Sequence, residues 1–161
     1  MKVPTKFLIL VVIFGLIAAG GKGEAAEEIT VTGSWSETID ASDLVAGAGS
    51  DLIGTYEGYS DQIVLDIDVG RGDFRVDVSK INTNWHSDFQ LYVRRTSDGT
   101  GDGEISGGTS YYQEVTDTYH SFFTFKKDRT GINLQLKLSG VSVQVAPDTY
   151  TTTVYYTVVK I

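Results

Sequence analysis

Ile63-Val64-Leu65-Asp66-Ile67-Asp68-Val69, Gly70-Arg71-Gly72-Asp73 and Phe74-Arg75-Val76-Asp77-Val78 follow one another in the stretch that decides the fold class. Ile63, Leu65, Ile67 and Val69 recur at every second position, as do Phe74, Val76 and Val78, which is the period of a strand with one buried face. A helix would scatter them around its circumference. The two runs read as an antiparallel hairpin. Pairing Val69 with Phe74 puts both apolar rows on one face with a loop of two or four residues; three would need a bulge.

Upstream, Ile29, Val31 and Trp35 share one face of a further strand, with Thr30, Thr32 and Ser34 on the other. From residue 37 to 61 the period is lost, and the segment reads as a long connection holding at most a short edge strand. Downstream, strands are expected at Phe89–Arg95, Ser110–Val115 and Ser121–Lys127, separated by Gly-, Ser- and Asp-rich loops. Ile132, Leu134, Leu136 and Leu138 then form one row and Val141, Val143 and Val145 another of opposite phase. The break at Ser139-Gly140 implies a β-bulge or a passage between sheets. After Ala146-Pro147-Asp148-Thr149 the chain closes with Tyr150–Ile161, rich in Thr, Val and Tyr. The expectation is an all-β chain of about eight strands in a two-sheet antiparallel sandwich, with no internal repeat.

The first residues have a different logic. Lys2 and Lys6 precede the apolar run Phe7–Ala19, and a small-residue stretch ends at Gly23-Glu24-Ala25. That order is the order of a secretory signal peptide, with cleavage expected after Ala25. The apolar run is shorter than the roughly 20 residues of a membrane span. Residues 1–25 are therefore expected to be a leader and 26–161 a single domain, exported to the periplasm, the cell surface or the medium. Cys is absent, so no disulfide supports the fold. The formal net charge of −8 becomes about −10 when Lys2, Lys6, Lys22 and Glu24 leave together. An acidic chain with scattered Lys and Arg argues against nucleic-acid binding.

The ending Pro147-Asp148-Thr149-Tyr150-Thr151-Thr152-Thr153-Val154-Tyr155-Tyr156-Thr157-Val158 resembles the closing strand of secreted bacterial immunoglobulin-like sandwiches, among them fimbrial subunits and spore-coat-U-type domains. The resemblance covers about a dozen residues. It departs from the family in lacking a cysteine pair and in placing Asp148-Thr149 where a Gly is usual. It implies an immunoglobulin-like surface domain and supplies no mechanism.

Several residue groups could carry chemistry. Asp98-Gly99-Thr100-Gly101-Asp102-Gly103-Glu104 matches a calcium loop at Asp98, Thr100, Asp102 and Gly103, but Thr109 stands where a bidentate Glu is needed. A flexible loop in which Gly supplies positive φ is the expected reading. Arg71-Gly72-Asp73 spells an adhesive tripeptide, and turn chemistry accounts for it equally. His86-Ser87-Asp88 holds the residue types of a triad, yet neighbours on an extended chain point to opposite faces. His120 reads as a loop or strand-end residue, and two histidines without cysteine are a thin basis for zinc. Trp85, Tyr111, Tyr112, Tyr119, Phe122, Phe123 and Phe125 crowd one stretch. Adjacent rings on a strand place one on each face, so one of each pair is expected outside, under the 37–61 connection or at a protein interface in preference to a sugar.

No residue is assigned as catalytic, cofactor-binding or metal-ligating, and no cofactor is expected. The functional expectation is an exported structural or interaction module without catalytic activity, such as a surface-layer or fimbria-like subunit that binds a protein partner or itself. A secreted carbohydrate- or calcium-binding module is the alternative.

Overall fold

The computed structural model describes residues 7–16, by backbone course alone, and residues 28–161. The expected leader and its cleavage point after Ala25 lie outside the described residues, apart from Phe7–Leu16. Twelve strands occur among the described residues: β1 (Phe7–Leu16), β2 (Glu28–Thr32), β3 (Trp35–Ile39), β4 (Thr55–Glu57), β5 (Ile63–Asp68), β6 (Asp73–Asn84), β7 (Gln90–Arg95), β8 (Ile105–Ser106), β9 (Gln113–Glu114), β10 (His120–Lys126), β11 (Arg129–Ser139) and β12 (Thr149–Lys160). They form two sheets. Sheet A has the order β3-β1-β12-β6-β10-β8; sheet B has the order β2-β5-β11-β7-β9, with β4 also on β11. Every ladder within residues 28–161 is antiparallel, while β1 runs parallel to β12 and antiparallel to β3.

The all-β sandwich expected from the alternation is the architecture observed. The expected hairpin is not. β5 pairs with β2 and β11 in sheet B, whereas β6 pairs with β10 and β12 in sheet A. Gly70-Arg71-Gly72-Asp73 is thus an arch between layers. Its two apolar rows face each other across the core instead of lying side by side, and alternation is the same in both cases. The step recurs along the chain, and among the described residues no two consecutive strands pair.

In an immunoglobulin sandwich consecutive strands pair within a sheet. The order here instead follows a jelly roll, in which eight strands numbered along the chain form sheets 1-8-3-6 and 2-7-4-5. β3, β12, β6 and β10 take the first set of places, with β1 between β3 and β12. β5, β11, β7 and β9 take the second.

The core fills the space between the layers. Phe74, Val76, Val78, Phe123, Phe125, Val154, Tyr156 and Val158 from sheet A meet Ile63, Leu65, Ile67, Leu91, Val93, Ile132, Leu134, Leu136 and Leu138 from sheet B, all buried. The rings of Phe74 and Phe125 stack at 5.7 Å. Each such side chain gains about 1.5–3 kcal/mol from leaving water. Among the described residues Tyr156 is the largest fully buried side chain, and its hydroxyl has no hydrogen-bond partner there; burial pushes its pKa up. Tyr156→Phe keeps the ring and removes an unmet polar group. Urea titration is expected to show stability raised by about 1 kcal/mol, and a comparable loss would reveal a partner for the hydroxyl.

Three further expectations need correction. The strand drawn from Ile29 to Trp35 breaks at Gly33, where φ is +110 and a side chain would overlap the Gln62 carbonyl. There the chain leaves sheet B for sheet A. At the other phase break, β11 simply ends at Ser139: Gly140 turns with φ +83, and Val141 and Val145 are buried as part of a loop. Finally, Phe122 and Phe123 are both buried instead of lying on opposite faces. The register shifts between Ser121 and Phe123, and the extra residue of that bulge sends both rings inward.

Candidate functional site

Strands β7 and β11 pair Tyr92 with Lys137 and Arg94 with Gln135. Leu91, Val93, Leu136 and Leu138 point into the core, so the intervening residues project from the outer face of sheet B. There the Lys137 ammonium lies 4.8 Å from the centre of the Tyr92 ring and 4.2 Å from that of Tyr112. The Arg94 guanidinium lies 4.6 Å from the same Tyr112 ring. Two rings and two cations thus interlock as Tyr92, Lys137, Tyr112 and Arg94, each cation–ring contact being worth about 0.5–1 kcal/mol at an exposed site.

The arrangement has a rigid base. Arg94 Nε and Nη2 donate to Gln135 Oε1 at 2.9 and 2.7 Å, and Gln135 Nε2 donates to the Gly58 carbonyl at 2.8 Å. Gln135 is buried, and the end of the 37–61 connection runs beside it, where β4 extends sheet B as a ladder partner of β11. Burial and the neighbouring Glu57 push the Tyr112 hydroxyl up to about 12, against the opposing effect of Arg94. Glu57 pairs with Lys137 and Glu114 with Tyr92, so both carboxylates stand on the same face. The surface is therefore balanced in charge, aromatic and stiff. Tyr111 beside it is 74% exposed.

Alternation alone could have found Tyr92, Arg94, Gln135 and Lys137 as outward positions of two strands. Their convergence with Tyr112 depends on the register of β7 against β11, and nothing local encodes it.

The loop from Asp98 to Glu104 does not gather its carboxylates. Asp98 pairs with Arg95, Asp102 with Lys127 at 3.4 Å and Glu104 with Lys126 at 3.4 Å. Glu104 also raises the Lys126 pKa. The loop lies along the start of β11, with Thr100 and Thr130 exchanging backbone bonds at 2.7 and 2.9 Å. Two buried guanidinium groups hold it: Arg129 donates to the Gly103 carbonyl, and Arg95 to the carbonyls of Gly107 and Ser97. Among the described residues no group of three or more His, Cys, Asp or Glu is placed to hold a metal.

Arg71-Gly72-Asp73 lies in the arch between the sheets, where Asp128 accepts bonds from the Val69 and Gly70 amides at 2.9 and 2.7 Å. His86-Ser87-Asp88 is a turn and not the extended segment expected. His86 Nδ1 comes within 3.8 Å of Asp88, yet the Ser87 hydroxyl donates to Asp88 and not to His86, so no relay forms. His120 opens β10 with Nε2 3.0 Å from the Thr118 hydroxyl. Trp85 is half-buried, its indole donating to the Phe89 carbonyl at 3.1 Å. Among the described residues no helix is long and apolar enough to cross a membrane. No protein-family model matches the chain, and no curated protein matches its sequence.

Proposed function

We propose that the chain is an exported structural or interaction module without catalytic activity, which meets a protein partner or another copy through the outer face of sheet B. The observation that carries this reading is the interlocked set Tyr92, Lys137, Tyr112 and Arg94 on its buried Gln135 base. Protein interfaces favour Tyr and Arg because these side chains present large, stiff contact surfaces at small entropic cost. A sugar is served less well, since stacking needs ring faces, and here ammonium and guanidinium groups already take them. A polyanion is served less well too, because Glu57 and Glu114 balance the two cations.

The test is light scattering of the exported protein over a concentration series, alongside Tyr92→Ala and Arg94→Ala. Association is expected to weaken at least tenfold in each variant while the melting temperature stays within a few degrees. A wild-type protein that stays monomeric at high concentration and forms no filaments would overturn the subunit reading. A secreted carbohydrate-binding module is the second reading, supported by the exposed rings of Tyr59 and Tyr111.

A further inference from the structure

Within residues 28–161, β3 has no strand partner and β12 is paired along one side only, by β6. Yet Trp35 and Ile39 of β3 are buried, and β3 stands in the first jelly-roll place beside β12. The strand between them is β1, whose sequence Phe7-Leu8-Ile9-Leu10-Val11-Val12-Ile13-Phe14 is apolar at both parities. A strand with one wet face alternates instead; an uninterrupted run suits a membrane-targeting leader.

We infer that β1 is a removable wedge, and that once residues 1–25 are gone β3 moves one strand spacing, about 4.8 Å, to pair directly with β12. The registers are already compatible. Leu10 stands between Ser36 and Thr151, and Val11 between Trp35 and Thr152. β3 is antiparallel to β1 and β1 parallel to β12, so direct pairing is antiparallel, with Ser36 opposite Thr151 and Trp35 opposite Thr152. Every residue stays on its own face: Trp35 and Thr152 are buried, Ser36 is exposed and Thr151 half-exposed. Closure gives both strands the backbone partners that removal of β1 takes away, which an open slot would leave to water or to chance association. Gly33 and Ser34 alone separate β3 from β2, so the intramolecular partner is always near. The Gln62 side chain must release the Ser34 carbonyl for the shift to occur.

The chain has no cysteine, so an introduced pair is the sole source of thiols. Ser36→Cys with Thr151→Cys is made in the full chain kept from export and in the protein recovered after export, its N-terminus read by intact mass. Ile81→Cys with Thr153→Cys, on the neighbouring strands β6 and β12, sets the oxidation rate for adjacent positions. In the full chain the first pair sits two strand spacings apart, about 9.6 Å, beyond the roughly 7 Å limit for a disulfide, and is expected to stay reduced. In the exported protein it is expected to oxidise within the chain at a rate within about tenfold of the control. An exported protein that retains residues 7–16, forms only disulfides between chains, or leaves the pair reduced while the control oxidises overturns the inference.

Discussion

Gly140→Ala is expected to lower the melting temperature by about 10–15 °C, a loss of roughly 3–4 kcal/mol. Two penalties combine. Gly140 has φ +83, where an L side chain costs about 1–2 kcal/mol. A Cβ there would also overlap the Asp88 carbonyl oxygen, which is backbone and cannot rotate away. Relieving such an overlap moves the 86–89 turn or the end of β11, at about 1–3 kcal/mol more. Gly47→Ala is the matched control, since φ there is +87 but nothing lies within 4 Å of the added carbon. It should lose about 1–2 kcal/mol. Equal losses in the two variants, measured by thermal and urea unfolding, would show that the Asp88 contact does not matter.

Arg95→Ala should destabilise the protein by about 3–5 kcal/mol. The Arg95 side chain is 3% exposed, while that of its ion-pair partner Asp98 is 64% exposed. Most of the loss therefore comes from the acceptors left behind. Gly107 O receives two guanidinium bonds, at 3.1 and 2.9 Å, and Ser97 O one at 3.2 Å. Each hydrogen bond from the charged guanidinium contributes about 1.5–3 kcal/mol. Contact with the Phe123 ring at 5.5 Å disappears as well. Asp98→Asn, by contrast, should cost under about 1 kcal/mol, because exposed pairs contribute little. Arg95→Lys would not restore the fork geometry. An Arg95→Ala protein as stable as Asp98→Asn would mean that the 98–107 loop is not held from below.

The alternation of Ile63 to Val78 settled that these segments are strands sharing one core, and it could not settle how they are paired. An arch and a hairpin bury the same parity, so Gly70-Arg71-Gly72-Asp73 fits both. The break at Ser139-Gly140 was visible as a change of phase and that at Gly33 was not, since Ile29, Val31 and Trp35 keep one parity across it; how the chain turns depends on the backbone that approaches it, Gln62 in one case and Asp88 in the other. Phe122 and Phe123 show the same limit, since a single inserted residue reverses the rule that neighbours alternate. Of the candidate surface, Tyr111 and Tyr112 were legible as an aromatic cluster. Arg94, Gln135 and Lys137 were legible only as outward positions; their meeting was not, because it is a product of register between strands some 40 residues apart.

The order of the sheets also governs when the molecule can come into being. β6 is flanked by β10 and β12, and β12 (Thr149–Lys160) is the last of these strands along the chain. Until the ribosome has released β12, β6 lacks the partner of its longest ladder, although β6 and β10, and the β2-β5-β11-β7 ladders of sheet B, can already pair. A nascent chain of this topology completes sheet A only once β12 has emerged. Its folding is slow for its size, because each loop closure must precede the contacts that reward it.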